Sequence, residues 1–186
     1  MRKPRASPTL IELLGNFQAS RIVVEVGTYR GLMAETLLEA FPDLLLTMVD
    51  PWTVHDHDSE YYRSGDPMAR MTADEWEAIH DEAVLRTDRF KDRRSIRRMT
   101  SSEASKTFAD LDVDLVFIDA EHTHQAVTQD IGLWWPKVRS GGILAGHDYH
   151  RSCPGVIQAV NEWTPRVGLQ LNRGGGRTWW VRKPRT

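Results

Sequence analysis

The segment Arg21-Ile22-Val23-Val24-Glu25-Val26-Gly27-Thr28-Tyr29-Arg30-Gly31 decides the fold class of this chain. Its first six residues form an apolar, β-branched run, which is typical of a strand buried on both faces of a parallel sheet. Gly27 and Gly31 then bracket a tight loop, in which a glycine backbone can take positive φ and approach a ligand closely. A helix is predicted to follow over residues 33–40, so the segment begins a strand–loop–helix unit.

Strand and helix patterns alternate along the rest of the chain. This alternation predicts a single doubly wound α/β domain, with helices on both faces of a mostly parallel sheet. Further strands are predicted over residues 44–50, 96–99, 114–119, 143–146, 167–171 and 178–181. Further helices are predicted over residues 72–90, 124–135 and 155–163, and Ser140-Gly141-Gly142 is predicted to be a turn.

Two segments stand apart from this alternation. Residues 1–20 are predicted to form an N-terminal helical extension, in which Ser7 caps a helix with Pro8 in its first turn, and residues 21–186 form the main domain. Residues 51–71 form a polar insert after the second strand, rich in Asp, His, Ser and Tyr. The insert follows the second strand and therefore lies at the ligand-binding edge. It is either a lid over substrate or a disordered polar loop.

The composition narrows the class of protein and its compartment. The 186 residues are 40% hydrophobic and 27% charged, with a net charge of -2, which is ordinary for a globular domain and attracts no polyanion. The single cysteine, Cys153, cannot form an internal disulfide and favours a reducing cytoplasm. No segment approaches the roughly 20 apolar residues of a membrane span. Glu12 interrupts the short apolar stretch behind the basic start, so neither a signal peptide nor a membrane partner is expected.

Ligands of doubly wound sheets bind beyond the carboxyl ends of the strands. Glu25 ends the first strand, where a carboxylate would repel a pyrophosphate and suit a cationic ligand such as a sulfonium amino acid. Tyr29 breaks the dinucleotide-binding glycine pattern. Asp50 ends the second strand about twenty residues later, where an acid accepts hydrogen bonds from ribose hydroxyls. Ser101 and Ser102 follow the third strand and either contact an adenine or cap the next helix.

The fourth and fifth strands bring acids and imidazoles to the same edge of the predicted sheet. The residues at these two strand ends are Asp119, His122, His147 and Asp148. Oxygen and nitrogen ligands of this kind suit a divalent metal. His122 is also a candidate general base, because an imidazole titrates near neutrality. Each histidine, taken alone, is equally compatible with a purely structural role.

Three segments resemble those of known methyltransferases. Residues 23–31 resemble the first motif of the class I methyltransferases, and the segments FIDAEHTH (117–124) and GGILAGHDY (141–149) resemble the small-molecule O-methyltransferases related to the macrocin and catechol enzymes. The resemblance runs from about residue 21 to the C-terminus. It implies S-adenosylmethionine as cofactor, a hydroxyl of a small molecule as methyl acceptor, and a seven-stranded sheet in the order 3-2-1-4-5-7-6 with strand 7 antiparallel.

The resemblance also implies roles for particular residues. Those at the cofactor are Glu25, Gly27, Thr28 and Gly31 around the methionine moiety, Asp50 at the ribose, Ser101 and Ser102 near the adenine, and Asp119. Those with catalytic or metal-binding roles are His122 as the base, Asp119, and the ligands Asp119, His147 and Asp148 for Mg or Mn. His147 stands where relatives carry an acid, which leaves open whether magnesium, another metal or no metal binds.

Other functions share this fold and remain alternatives. A run of arginines at 93, 94, 97 and 98 would suit a nucleic-acid methyltransferase, but the slightly acidic chain has no recognisable appended recognition domain. A nicotinamide oxidoreductase would need the dinucleotide-binding glycine pattern, which this chain lacks. A non-catalytic protein that keeps the fold as a scaffold is the third alternative, and the N-terminal helix offers a surface for a homodimer.

Overall fold

The computed structural model describes residues 8–17 and 21–185, which fold around one sheet. Its strands are β1 (Arg21–Val26), β2 (Leu44–Asp50), β3 (Arg94–Arg98), β4 (Val113–Ile118), β5 (Val138–Gly146), β6 (Asn172–Arg173) and β7 (Trp179–Arg182). The sheet is seven-stranded in the order β3-β2-β1-β4-β5-β7-β6. Strands β1 to β5 pair in parallel, and β7 is antiparallel to both neighbours. The predicted fold class, strand order and antiparallel seventh strand are confirmed.

Helices cover both faces of the sheet. They are α1 (Pro8–Gly15), α2 (Leu32–Ala40), α3 (Glu60–Arg63), α4 (Ala73–Thr87), α5 (Ser101–Ser105), α6 (His124–Trp134) and α7 (Pro154–Arg166). Short 3₁₀ turns lie at Pro67–Arg70, Asp88–Phe90 and Gly175–Arg177. Within residues 8–17 and 21–185, no helix has the length and apolar character that a membrane span requires.

The central strands are buried because their apolar runs feed two cores. Successive side chains of a strand point to opposite faces. Val23 therefore packs with Leu115 and Phe117 in one core, whereas Val24 packs with Val116 in the other. A continuous apolar run thus places β1 and β4 at the centre, and their carboxyl ends become the natural ligand-binding edge.

The N-terminal helix lies on the domain, as predicted. Leu10, Leu13 and Leu14 of α1 are buried, and Thr9 Oγ1 donates a hydrogen bond to the carbonyl of Gly175, at 3.4 Å. The predicted cap Ser7 and the basic residues before it lie outside the described residues. The helix thereby joins the sheet to the turn between β6 and β7.

The insert at 51–71 is folded and does not form the disordered loop considered above. It contains α3 and a 3₁₀ turn, and it buries Tyr61 and Ala69. The helix after it begins where predicted, with Thr72 as cap: the Glu75 N–H donates to Thr72 Oγ1 at 3.3 Å, and the Thr72 N–H donates to Glu75 Oε2 at 2.8 Å. This capping box fixes the first turn of α4.

Two sequence predictions near the C-terminus are wrong. The glycines at 141 and 142 do not form a turn but lie within β5, which begins at Val138. They form an irregularity in the pairing of β5 with β4. The predicted strand at 167–171 is absent among the described residues. Helix α7 continues to Arg166, and in the segment between α7 and β7 only the two residues of β6 pair with β7.

Candidate functional site

A cavity of about 400 Å³ opens at the carboxyl ends of β1, β2 and β4. Five predicted cofactor residues line it, namely Gly27, Asp50, Ser101, Ser102 and Asp119. We call it the glycine-loop cavity. Its volume lies in the range of about 300–1,000 Å³ that is usual for small-molecule sites. Residues that follow different strands therefore meet in one cavity, although positions 27 and 119 are 92 residues apart in sequence.

The loop after β1 requires glycine at position 27. Gly27 has a φ of 88°, and a Cβ there would lie 2.2 Å from the carbonyl oxygen of Asp119. The two strand ends touch at this point. Gly31, by contrast, has a φ of 69° and packs α2 against Ala83 of α4, away from the cavity. Gly31 shapes the loop without lining the cavity.

Asp50 both fixes the loop and faces the cavity. Its Oδ2 accepts from the Tyr29 N–H at 2.9 Å, and its Oδ1 accepts from the Trp52 N–H at 2.8 Å. Burial raises the pKa of Asp50, although these backbone donors oppose that effect. A carboxylate held by two donors keeps further lone pairs for ligand hydroxyls.

Glu25 lies behind the cavity wall and is 2% exposed. Its Oε2 accepts a long hydrogen bond of 3.4 Å from Thr28 Oγ1. Burial raises the pKa of Glu25 well above its usual value, and the charges of Asp119 and Asp50 raise it further. Three acids thus converge near one loop, which makes the region receptive to a cationic ligand.

The far end of the cavity contains an acid that the sequence analysis missed. Thr100 caps α5 by accepting from the Glu103 N–H at 3.2 Å, so the alternative in which Ser101 or Ser102 is the cap is wrong. Ser101 Oγ instead donates to Asp130. Asp130 lines the cavity, and burial raises its pKa to about 6. An acid within an amphipathic helix gives no sequence signal, since most such acids are solvated.

The insert closes over the same cavity. His55, Tyr61 and Met68 of the insert line it, together with Trp76 of α4. The rings of His55 and Tyr61 are 4.7 Å apart, and His55 Nδ1 lies 3.6 Å from a carboxylate oxygen of Glu121. The sequence marked this segment as a candidate lid, but it did not identify which side chains reach the cavity.

At the ends of β4 and β5 the four predicted acids and imidazoles meet. We call Asp119, His122, His147 and Asp148 the acid–imidazole cluster. His122 Nε2 lies 3.1 Å from Asp148 Oδ2 and 4.0 Å from Asp119 Oδ1, without a well-aligned hydrogen bond to either. His147 Nδ1 lies 3.2 Å from Asp148 Oδ2 and 3.5 Å from Asp119 Oδ1. His124, by contrast, lies outside the cluster and pairs with Glu162 on the surface.

Residues 24–149 match a protein family described as a methyltransferase domain. This chain belongs to the methyltransferase-domain family. The matched segment contains the glycine loop, Asp50 and the whole acid–imidazole cluster. An uncharacterized protein of Acanthamoeba polyphaga mimivirus is 38% identical over 52 residues, which cover 27% of this chain and 24% of that protein. The match thus spans about a quarter of that relative's length.

Solved methyltransferases share the fold of this methyltransferase domain. The O-methyltransferase NovP superposes with a TM-score of 0.70 at 17% identity, over 95% of this chain and 77% of that one. The cofactor-bound protein Rv0187 from MTB gives 0.66 at 17% identity, over 96% and 79%. A methyltransferase from Geobacter sulfurreducens gives 0.62 at 14% identity, over 95% and 77%. At these identities the likeness establishes a shared fold.

The donor set of the cluster fits a small divalent cation. Asp119, His147 and Asp148 each offer a ligand atom, and these atoms lie within 4.8 Å of one another. Octahedral donors bound at about 2.1 Å lie about 3 Å from one another, close to the spacings from His147 to the two acids. Two carboxylates with one imidazole suit Mn²⁺ at least as well as Mg²⁺, because Mg²⁺ prefers oxygen throughout.

The charges of the cluster are coupled. Asp119 and then Asp148 raise the pKa of His122 to about 10. Asp148 raises the pKa of His147, and the two histidines hold the pKa of Asp148 well below its usual range. Without a cation, the two carboxylates therefore favour the protonated form of the His122 ring, which cannot accept a proton.

Proposed function

We propose that this methyltransferase domain transfers a methyl group from S-adenosylmethionine to a hydroxyl oxygen of a small molecule. The observation that supports the proposal most is the position of Asp119. It lines the glycine-loop cavity and also belongs to the acid–imidazole cluster. A methyl donor in the cavity and an acceptor at the cluster would therefore be neighbours, as methyl transfer requires. The O-methyltransferase NovP among the structural neighbours favours oxygen as the acceptor atom.

The cofactor would be bound by residues along the cavity. Asp50 would accept hydrogen bonds from the ribose hydroxyls through the lone pairs that its backbone donors leave free. Ser101, Ser102 and Asp130 would lie at the adenine. Glu25 with Thr28 would place negative charge near the sulfonium, behind the loop of Gly27. A sulfonium methyl is electrophilic, so the protein must hold it in line with the acceptor oxygen.

The acceptor hydroxyl needs to lose a proton, and His122 is placed to take it. Asp119, His147 and Asp148 would hold a divalent cation, which when bound would supply Lewis acidity and offset the carboxylate charge that keeps the His122 ring protonated. His122 also contacts the insert, since its Nδ1 lies 3.6 Å from Asp66 Oδ2. Closure of the insert would thereby orient the base, which gives the insert the role of a lid.

A nucleic-acid substrate is less well supported. Arg93 and Arg94 donate to backbone carbonyls of neighbouring elements, and Arg98 pairs with Glu77 at 2.6 Å. These guanidinium groups stabilise the fold around β3. Of the basic run that suggested nucleic acid, mainly Arg97 is therefore available to contact a phosphate backbone. A small-molecule acceptor therefore remains the proposal.

Two measurements on the full chain test this function. Free Mn²⁺ detected by electron paramagnetic resonance should fall on addition of the wild-type protein, and Asp119→Asn should weaken that binding by about tenfold or more, whereas the exposed Asp110→Asn should not. Radiolabelled methyl from S-adenosylmethionine should appear on a hydroxyl of at least one member of a panel of catechols, phenols and sugars that includes their carboxylated and phosphorylated forms. His122→Asn should lower turnover about 100-fold with cofactor affinity unchanged. Transfer only to nucleic acid or to nitrogen, or an equal loss of turnover and affinity, would contradict the proposal.

A further inference from the structure

A second cleft, of about 560 Å³, lies beside the acid–imidazole cluster beyond the end of β5. The loop after β5, the first turns of α7 and the turn between β6 and β7 form its walls. The side chains that define it are Tyr149, Arg151, Ile157, Arg173 and Arg177. We call it the arginine cleft. Three arginines line it and, in the described part of the chain, no acidic residue does.

Two of these arginines have no acidic partner. Across residues 8–17 and 21–185, neither Arg151 nor Arg173 lies within 4.0 Å of a carboxylate. Arg173 instead lies over the ring of Tyr149, with its guanidinium carbon 5.9 Å from the ring centre. Arg86, by contrast, contacts two glutamates. Both arginines line a concave surface, so their guanidinium donors are available to an anionic ligand.

The third arginine connects the cleft to the proposed reaction centre. Arg177 Nη1 lies 3.4 Å from Asp148 Oδ1, while the other oxygen of Asp148 lies 3.1 Å from His122 Nε2. The Tyr149 N–H donates to the carbonyl of Arg177 at 3.0 Å, which ties the hairpin turn to the loop after β5. Arg177 has a φ of 65°, a conformation that costs energy in any residue but glycine and that recurs at functional sites.

We infer that the arginine cleft binds an oxyanion, a carboxylate or a phosphate, carried by the same small molecule whose hydroxyl is methylated. The inference rests on the proposed function for the hydroxyl, whereas the anion site itself rests on Arg151, Arg173 and Arg177. A planar guanidinium donates two parallel hydrogen bonds to such a group, which gives orientation as well as affinity. The cleft thus restricts the acceptor to hydroxylated acids or phosphates, and the anion would hold the hydroxyl at the cluster.

Anion binding by the full chain tests the inference without knowledge of the natural acceptor. Benzoate and inorganic phosphate are titrated separately into protein saturated with S-adenosylhomocysteine, with binding followed by calorimetry at low ionic strength. Arg151→Gln/Arg173→Gln removes two charges from the cleft. Lys106→Gln/Arg166→Gln removes two exposed charges from α7 and the end of α5, away from both cavities, and is the matched control.

We expect the wild-type protein to bind one of the two anions with a Kd of about 1 mM or below. The cleft double variant should lose about tenfold or more in affinity, and the control double variant should stay within about twofold. The anion that binds identifies the acceptor as an acid or as a phosphate ester. Saturation by neither anion, or an equal loss in both double variants, would overturn the inference.

The same titrations separate this inference from the proposed function. Binding of S-adenosylhomocysteine is measured first in all three proteins, and the cleft variant should retain it because Arg151 and Arg173 do not line the glycine-loop cavity. If the wild-type protein binds no S-adenosylhomocysteine, the proposed function fails. Anion titration of the cofactor-free protein then still decides whether the cleft is an oxyanion site.

Discussion

At the scale of single residues, the structure requires glycine at position 27. Any Cβ there meets the Asp119 carbonyl, in addition to the positive φ of the backbone. We expect Gly27→Ala to lower the free energy of unfolding by about 2–4 kcal/mol and to abolish cofactor binding, as measured by urea denaturation and calorimetry. Gly132→Ala is the matched control. It lies in α6 with no atom within 4 Å of an added Cβ, so it should stabilise by about 1 kcal/mol.

Asp50 should contribute to cofactor affinity more than to stability. Asp50→Asn keeps an acceptor for one of the two backbone donors but removes the charge that ribose hydroxyls would meet. We expect cofactor affinity to fall by about 10-fold to 100-fold, as for a charged hydrogen bond. The exposed Asp88→Asn should leave affinity unchanged. An unaltered affinity in Asp50→Asn would remove the ribose assignment.

Glu25 gives the cofactor-free protein a pH-dependent stability. Its folded-state pKa is raised by burial, so between the usual value of 4.5 and that higher value the folded state holds a proton that the unfolded state has released. The free energy of unfolding therefore falls as pH rises from 4.5. Glu25→Gln cannot release this proton, so its stability relative to the wild type should increase with pH over this window. Urea denaturation at several pH values measures the difference, and a parallel pH dependence in both proteins would contradict the burial argument.

The sequence was sufficient to place Gly27, Asp50 and Asp119, because each directly ends a recognisable strand and strand ends share one edge. It was insufficient for Asp130 and His55. Those two reach the cavity from the middle of a helix and from the insert, and only the packing of α6 and the folding of the insert bring them there.

At the scale of elements, the capping box of α4 supports the wall of the cavity. Thr72 caps the helix whose first turns carry Trp76 into the glycine-loop cavity. Thr72→Ala should cost about 1 kcal/mol of unfolding free energy and weaken cofactor binding severalfold, because the first turn frays. Thr36→Ala within α2 removes the same side chain from a helix interior and should cost less. Equal effects of the two substitutions would contradict a specific capping role.

Element starts that depend on local chemistry were predicted well, and those that depend on tertiary pairing were not. Thr72 and Pro8 mark helix starts by themselves. The glycines at 141 and 142 have the composition of a turn, but Val138 and Ile143 on either side of them pair with β4, which keeps the glycines within β5. The two-residue β6 exists because β7 pairs with it, so no pattern in its own sequence could define it.

At the scale of the whole molecule, the strand order concentrates chemistry at one edge. The central strands β1 and β4 deliver the glycine loop and Asp119, and β5 delivers His147 and Asp148. The glycine-loop cavity and the arginine cleft are connected through the acid–imidazole cluster. The sheet order would thus place the proposed methyl donor, metal-binding donor set and anion site in sequence along the binding edge.

The most direct test of the central claim is calorimetric titration of S-adenosylmethionine into the EDTA-treated full chain, at two temperatures. We expect saturable binding of one cofactor per chain with a Kd on the order of 1–100 μM, and its loss in Gly27→Ala. Cofactor binding that persists without added metal would fit a cavity that does not depend on the cluster. Absence of binding at both temperatures would contradict the account and would favour a protein that keeps the methyltransferase fold as a scaffold.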